Sequence, residues 1–241
     1  MEATWRAKRA KLAPGNLRDY PSYSIDEVAR YIGVPKRTMR AWITGYSYKT
    51  AKGLTKALPI IQPADPDNNL LSFNNLVEAQ VLSATRERNI STAKLRRTIE
   101  YMRSHLNEER PLLTCVFDSH GQDIFVQRLA GKNLSHPLNV TRQGQYGFRA
   151  ILRKYLNRIE RDANGNPTRV FPMRTGDSRR RKSIVIHPSI SAGKPALSGS
   201  GIMVEVIWRR KKAGESIGML AKDFRLKHSE IKAAIKYYDA A

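Results

Sequence analysis

SIDEVARYIGVPKRTMRAW, residues 24–42, decides the fold, because the spacing of its apolar residues predicts two short helices. Ser24, with Glu27 three residues later, forms the Ser-x-x-Glu capping box that satisfies free amide groups at a helix start. Gly33 ends that helix in a residue able to adopt a left-handed backbone conformation. Pro35 is favoured in the first turn of a helix and therefore opens the second one.

The second predicted helix has a cluster of polar and basic residues on the side that its apolar residues leave exposed. Helix-turn-helix proteins place side chains that contact base edges and phosphates at these positions. We therefore expect Lys36 and Arg37 to read bases and Thr38 and Arg40 to contact phosphates. The alternative is an ordinary helical hairpin with a solvated charged face.

The run from Tyr23 to Trp42 resembles the first two helices of MerR-type regulators. The resemblance implies a winged helix-turn-helix domain over residues 22–108 and a dimer that reads two half-sites. We expect the wing in two short apolar runs, 58–61 and 70–73, and helices over 75–88 and 92–105. The remaining predicted DNA contacts are Ser24 at the helix start and Lys49 and Lys52 in the basic loop before the wing.

The composition narrows the class of partner. The 241 residues include 43 Lys and Arg against 21 Asp and Glu, a formal net charge of +22 that attracts a polyanion. Cys115 is the only cysteine, which excludes an intramolecular disulfide and a zinc site built on several thiolates. No apolar run resembles a signal peptide or a membrane span, so we expect a cytoplasmic protein without a membrane partner. Residues 1–21 are predicted to be a basic flexible arm, either solvated or in contact with phosphates.

Residues 109–178 are predicted to form a small mixed α/β module. Alternating apolar residues around 113–117 and 124–126 indicate a β-hairpin, and a helix is expected over 148–156. Asn164-Gly165 favours a tight turn between two further strands. This pattern has no catalytic spacing and is interpreted as a scaffold or an interface.

Residues 179–241 are predicted to form a mainly helical domain behind the basic run 179–182. A strand and a Gly- and Pro-rich loop precede a helix from about Val204. Helices over 217–223 and 229–238 then give a second helix-turn-helix-like pair. The predicted fold class of the whole chain is α+β, mainly α.

The C-terminal stretch resembles a small bacterial domain found in antitoxins, although Ser198 and Ser200 stand where that domain usually carries arginine and threonine. Its combination with a MerR-like front resembles the large VapB-type antitoxins, whose partners are VapC-type PIN-domain ribonucleases. The resemblance implies a type II antitoxin that inhibits a PIN-domain toxin and represses its own operon by binding operator DNA. It also implies a homodimer or a larger complex with the toxin. The basic residues expected to contact the toxin are Arg179, Arg180, Arg181, Lys182, Arg209 and Arg210.

Catalysis has little support in the sequence. The five histidines are scattered without a close metal-ligand spacing, and the carboxylates are not grouped as a two-metal nuclease requires. We therefore expect no enzymatic activity, catalytic residue, metal site or cofactor. Two alternatives to the antitoxin stay open: a stand-alone MerR-like transcriptional regulator, and a nucleoid-type protein that binds DNA through nonspecific charge.

Overall fold

The computed structural model describes residues 16–51, 53–86, 92–105, 109–120, 123–128, 138–139, 157–172 and 182–239. These residues form α-helices and four small antiparallel sheets of two or three strands. The mixed, mainly helical class predicted from the sequence is confirmed. Two clusters of buried apolar side chains hold the chain together, one around the first helices and one around the last three.

The first two helices are α1, Ile25–Ile32, and α2, Lys36–Thr44. The predicted capping box is present. The Ser24 hydroxyl accepts a hydrogen bond from the Glu27 amide, and the Glu27 carboxylate accepts one from the Ser24 amide. Gly33 ends α1 in the left-handed conformation, with φ of 68°. The helix pair predicted from the sequence is confirmed.

The predicted position of the wing is wrong. The observed hairpin pairs β1, Tyr46–Thr50, with β2, Gly53–Ala57, directly after α2. Ile60 and Ile61 of the first apolar run are buried instead, and their amides donate to the Trp42 carbonyl at 2.8 and 3.1 Å. The second run pairs back to Tyr23 before it enters the next helix. Apolar residues are drawn into the core, whereas a projecting hairpin is built from polar and aromatic residues.

The helix α3, Phe73–Arg86, lies at the centre of the first core, and its described side chains up to residue 84 are all buried. It is followed by α4, Thr92–His105, and the single turn α5, Pro111–Thr114. The prediction for Leu113 is wrong: it lies in α5 rather than in a strand, because Pro111 starts a helical turn there.

A three-stranded sheet follows, formed by β3, Cys115–His120, β4, Asp123–Arg128, and β5, Leu138–Asn139. A second hairpin pairs β6, Ile159–Arg161, with β7, Pro167–Val170. Both predicted hairpins are thereby confirmed, including the turn at Asn164-Gly165, which the Asp162 carboxylate holds through the amides of Asn164 and Asn166. The predicted helix over 148–156 lies outside the described residues.

The C-terminal part begins with β8, Ile184–Val185, which pairs with β9, Ala196–Leu197, around a 3₁₀ turn at Ser191–Gly193. Three helices follow and enclose the second core: α6, Val204–Lys212, α7, Ile217–Phe224, and α8, His228–Asp239. The helix pair predicted over 217–223 and 229–238 is confirmed. Ile186 pairs with Val170 and packs in the first core, so the two parts of the chain are continuous at this point.

Candidate DNA-binding surface and its contacts with the C-terminal helices

Packing determines which face of α2 points outward. Met39, Trp42 and Ile43 are buried against α1 and the first core. The opposite side of the helix is consequently accessible, with Arg37 and Arg40 exposed. This is the geometry in which the second helix of a helix-turn-helix enters the major groove.

Two predicted DNA contacts have partners within the protein. The Lys36 ammonium forms an exposed ion pair with Asp26 of α1 at 2.7 Å, and this hydrogen bond lowers the pKa of the Asp26 carboxyl. The hydroxyl of Ser24 is held in the capping box, where it also lies 3.0 Å from a Glu27 oxygen. Ser24 therefore caps the start of α1 in the free protein, and Lys36 links the first turns of α1 and α2.

The hairpin of β1 and β2 is a wing that exposes side chains on both faces. Tyr46 and Tyr48 share one face, each 44% exposed, with ring centroids 5.8 Å apart. The cross-strand register places Lys49 opposite Leu54 and Lys56 opposite Ser47 on the other face. The predicted contact Lys52 lies outside the described residues.

An open cavity of about 610 Å³ joins α2 to the wing. Arg37, Thr38 and Arg40 line it from α2, and Tyr46 and Ser47 line it from β1. The structure thus brings three of the predicted contacts together with wing residues. Sequence analysis missed Tyr46 and Ser47, although the Tyr-Ser-Tyr-Lys-Thr alternation of β1 is a signal that could have revealed the strand.

A position before the wing requires glycine. Gly45 has φ of 71°, and a side chain there would bring a Cβ within 2.2 Å of the Ala57 carbonyl oxygen. The left-handed conformation lets the chain turn directly from α2 into β1. Arg96 of α4 supports the wing from the other side, with its guanidinium 5.6 Å from the Tyr46 ring centroid and its Nε bonded to the Leu58 carbonyl.

The first helix also contacts the C-terminal part of the chain through ionic and aromatic groups. Lys194 forms an ion pair with Glu27, which together with the Ser24 cap holds the pKa of that carboxyl low despite its partial burial. The Arg30 guanidinium donates to the Tyr238 hydroxyl at 2.9 Å and lies 4.8 Å from that ring's centroid.

Two buried tyrosines complete this interface. The Tyr23 hydroxyl donates to the Gly193 carbonyl at 2.9 Å, and burial raises the pKa of that phenol. The Tyr237 hydroxyl donates to the Tyr31 carbonyl at 2.6 Å. The helix-turn-helix is therefore attached to the C-terminal domain through its first helix, which leaves α2 free of these contacts.

The residues predicted to contact a toxin lie in two places. Lys182 pairs with Glu160 at 3.4 Å and lies 4.5 Å from the Phe171 ring centroid. Arg179, Arg180 and Arg181 lie outside the described residues.

On α6, Arg209 and Arg210 make different kinds of ion pair. Arg209 is 72% exposed along its side chain and pairs with Glu205 one turn earlier at 2.7 Å. Arg210 binds both Glu215 and Asp223, at 2.5 and 2.6 Å, and these hydrogen bonds raise its pKa. Arg210 therefore stabilises the join between α6 and α7, while Arg209 is the more accessible of the two cations.

Within the described ranges, no helix is long and apolar enough to cross a membrane. In the same part of the chain, no three His, Cys, Asp or Glu side chains gather where they could hold a metal ion.

Comparison with known proteins agrees with this arrangement. Residues 21–99 match the family model described as "Putative DNA-binding HTH domain", and residues 184–238 match "Protein of unknown function (DUF433)". The chain is 24% identical over 228 residues to "Putative antitoxin VapB45" of Mycobacterium tuberculosis, covering 90% of this chain and 93% of that protein. It is also 26% identical over 236 residues to "Uncharacterized protein Rv2308" of the same organism, covering 95% and 94%.

The crystal structure of Rv2018 from Mycobacterium tuberculosis shares the fold, with a TM-score of 0.59 at 21% identity over 90% of this chain and 98% of that one. The resemblance to large VapB-type antitoxins expected from the sequence is confirmed by the antitoxin relative and the two family models. The chain is similar along most of its length to large VapB-type antitoxins, and it joins a helix-turn-helix domain of the DNA-binding type to a C-terminal DUF433 domain.

Proposed function

We propose that this protein is the antitoxin of a type II toxin–antitoxin pair, which represses its own operon and inhibits a PIN-domain ribonuclease of the VapC type. The observation that carries the DNA-binding half is the open cavity shared by Arg37, Thr38, Arg40 and the wing. The near full-length similarity to a protein named as an antitoxin supports the other half.

In the proposed complex with DNA, α2 enters the major groove and the wing lies along the adjacent backbone. Arg37 is suited to bidentate recognition of guanine, and Lys36 joins it when it exchanges Asp26 for a base or a phosphate. Thr38, Arg40, Lys49 and Lys52 contact phosphates, while Ser24 presents the capped end of α1. Two copies bind two half-sites, so the operator is expected to be palindromic.

Inhibition of the toxin follows from opposite charge. A PIN ribonuclease gathers carboxylates around magnesium, so a strongly basic partner can cover that pocket. We propose that the run from Arg179 to Lys182, with Arg209 and Arg210, makes this contact, because guanidinium groups bind carboxylates in bidentate geometry.

The DNA half is tested by measuring binding to a duplex from upstream of the protein's own gene and to a random-sequence duplex. We expect tighter binding to the upstream duplex, and repression of a reporter gene placed behind it. Equal affinity for both duplexes, without repression, would contradict autorepression and favour a nucleoid-type protein.

The antitoxin half is tested by co-expression with the neighbouring gene, followed by purification and a ribonuclease assay on the partner. We expect a stable complex with suppressed cleavage, and weaker suppression when Arg209→Glu is introduced. Lys56→Glu on the wing is the matched control, because it makes the same change of charge outside the proposed toxin contact. Failure to recover any partner from a protein that still binds operator DNA would support a stand-alone regulator.

A further inference from the structure

The C-terminal domain contains a helix pair whose backbone repeats the geometry of α1 and α2. Both α1 and α7 have eight residues and begin at a capping serine. The backbone angles are φ −75° and ψ 159° at Ser24, and φ −75° and ψ 153° at Ser216. Each helix ends in a left-handed residue, Gly33 in the first pair and Arg225 in the second.

The turns between the helices are also closed by the same hydrogen bond. The Val34 amide donates to the Ala29 carbonyl at 2.9 Å, and the Leu226 amide donates to the Ala221 carbonyl at 2.9 Å. In both pairs the second helix begins three residues after the left-handed residue. The turn of the second pair therefore has the length and bonding of a helix-turn-helix turn.

Aligning the caps and turns of the two helix pairs matches each residue of α1 and α2 with a residue of α7 and α8. Apolar positions that are buried in the first pair, such as Val28 and Met39, correspond to the buried Leu220 and Ile231. Five positions carry the same residue in both pairs: Ser24 and Ser216, Ile25 and Ile217, Ala29 and Ala221, Ala41 and Ala233, Ile43 and Ile235. The C-terminal pair therefore packs in the way that orients α2 in the first pair.

The outward face of the second pair is basic. Arg40 of α2 corresponds to Lys232 of α8, and Lys236 follows one turn later. The exposed cations of α7, the turn and α8, together called the α8 basic face below, are Lys222, Arg225, Lys227, Lys232 and Lys236. None of their side chains forms an ion pair with a residue that the structure describes, whereas Arg209, Arg210 and Lys212 of α6 all do.

The contacts of α8 leave this face accessible. Its C-terminal end contacts α1 and α6 through Tyr237 and Tyr238. The first turns of α8, with His228 and Ser229, are exposed. The one carboxylate of the first turn, Glu230, accepts the Lys227 amide at 2.7 Å and thereby caps the helix. The end of α8 that corresponds to the reading end of α2 is therefore available to a ligand.

We propose that α8 is a second recognition helix, and that the protein also binds double-stranded DNA through the α8 basic face. A helix-turn-helix with unpaired cations on its second helix presents positive charge in the shape that fits a DNA groove. Each chain then contacts DNA at both ends, which goes beyond the proposed function, where only α1, α2 and the wing bind the operator.

The salt dependence of DNA binding tests this proposal in the full-length protein. The probes are the upstream duplex and a random-sequence duplex, with Lys232→Ala and Lys236→Ala combined. The matched control combines Arg169→Ala and Lys212→Ala, which removes the same charge from exposed residues outside both helix pairs. Both test lysines are exposed, and alanine favours helix formation, so we expect the variant to fold with an unchanged thermal midpoint.

The slope of log Kobs against log salt concentration is negative. We expect its magnitude to fall by about 0.9 for each removed lysine that contacts a phosphate, and we expect weaker binding to both duplexes. The control should keep the slope of the unmodified protein. An unchanged affinity and slope for the Lys232 and Lys236 variant would overturn the proposal. Loss of a protein partner without any change in DNA binding would overturn it equally.

A crosslinking experiment gives a second readout at the level of one residue. Ser229→Cys in a Cys115→Ser background carries a photoactivated crosslinker, and Ser198→Cys, exposed in the loop after β9, is the control. We expect crosslinks to the duplex from position 229 and none from position 198. Absence of crosslinks from position 229 at saturating DNA would contradict the assignment of α8.

Discussion

The hydroxyl of Tyr237, in the last helix of the chain, donates a 2.6 Å hydrogen bond to the backbone carbonyl of Tyr31, near the end of the first helix. That carbonyl belongs to the last turn of α1, where no helical amide follows to bond it, and Pro35, four residues later, has no N–H group to offer. The C-terminal domain supplies its donor. The turn of the helix-turn-helix and the position of α8 are therefore linked.

Replacing Tyr237 by phenylalanine should destabilise the whole protein. The change removes only the hydroxyl and leaves the buried Tyr31 carbonyl without this donor, which costs on the order of 1–3 kcal/mol. Urea denaturation measures the loss of unfolding free energy. The control is Tyr48→Phe, because Tyr48 is exposed on the wing. Equal stability of the two variants would show that the contact contributes nothing.

Gly193→Ala should disrupt the other tyrosine contact of the interface. A Cβ at this position would lie 2.3 Å from the Tyr23 hydroxyl, and the backbone there has φ of 75°. Gly199→Ala is a matched control, because Gly199 also has a positive φ, of 90°, but no atom within 4 Å of an added Cβ. We expect the thermal midpoint to decrease more for Gly193→Ala than for Gly199→Ala. Both variants strain the backbone, but only Gly193→Ala adds a clash with Tyr23. Equal decreases would mean that only the backbone conformation matters.

Glu78, buried in α3, should make stability depend on pH. Burial raises the pKa of its carboxyl from 4.5 to about 7, although Arg110 and a hydrogen bond from Asn75 act in the opposite direction. The unfolded chain loses this proton near its ordinary pKa and the folded chain only near 7. Stability should therefore fall as pH rises through this interval, by a total on the order of 3 kcal/mol.

Glu78→Gln removes this titration and should flatten the profile. The measurement is urea denaturation of both proteins at about pH 5 and at about pH 8. We expect the free energy of unfolding to fall less for the variant than for the unmodified protein between the lower and the higher pH. Parallel profiles for the two proteins would refute the role of Glu78.

Local patterns in the sequence predict local structure well in this chain. Ser24, Glu27 and Gly33 act within a few residues of one another, so the capping box and the left-handed turn could be predicted without the rest of the fold. The position of the wing could not be predicted in this way, because its strands are mostly polar and exposed, while Ile60, Ile61 and Leu71 of the apolar runs are buried in the core.

The interface with the C-terminal domain could not be predicted in the same way. It joins residues that are far apart in sequence, such as Glu27 with Lys194 and Arg30 with Tyr238. Each of these side chains alone is typical of a solvated surface. Likewise, the charge of Arg210 indicated a partner surface, yet in the structure it binds Glu215 and Asp223.

DNA binding by α2 is tested most directly by the affinity of Arg37→Ala and Arg40→Ala for the upstream and random-sequence duplexes over a range of salt concentrations. Arg37→Ala should cost about 1–3 kcal/mol of binding free energy on the upstream duplex and reduce its preference over the random one. Arg40→Ala should weaken binding to both duplexes and reduce the magnitude of the slope of log Kobs against log salt concentration by about 1. The control Arg169→Ala, exposed on β7, should bind as the unmodified protein does. If both α2 variants bind both duplexes with unchanged affinity and slope, α2 is not the recognition helix.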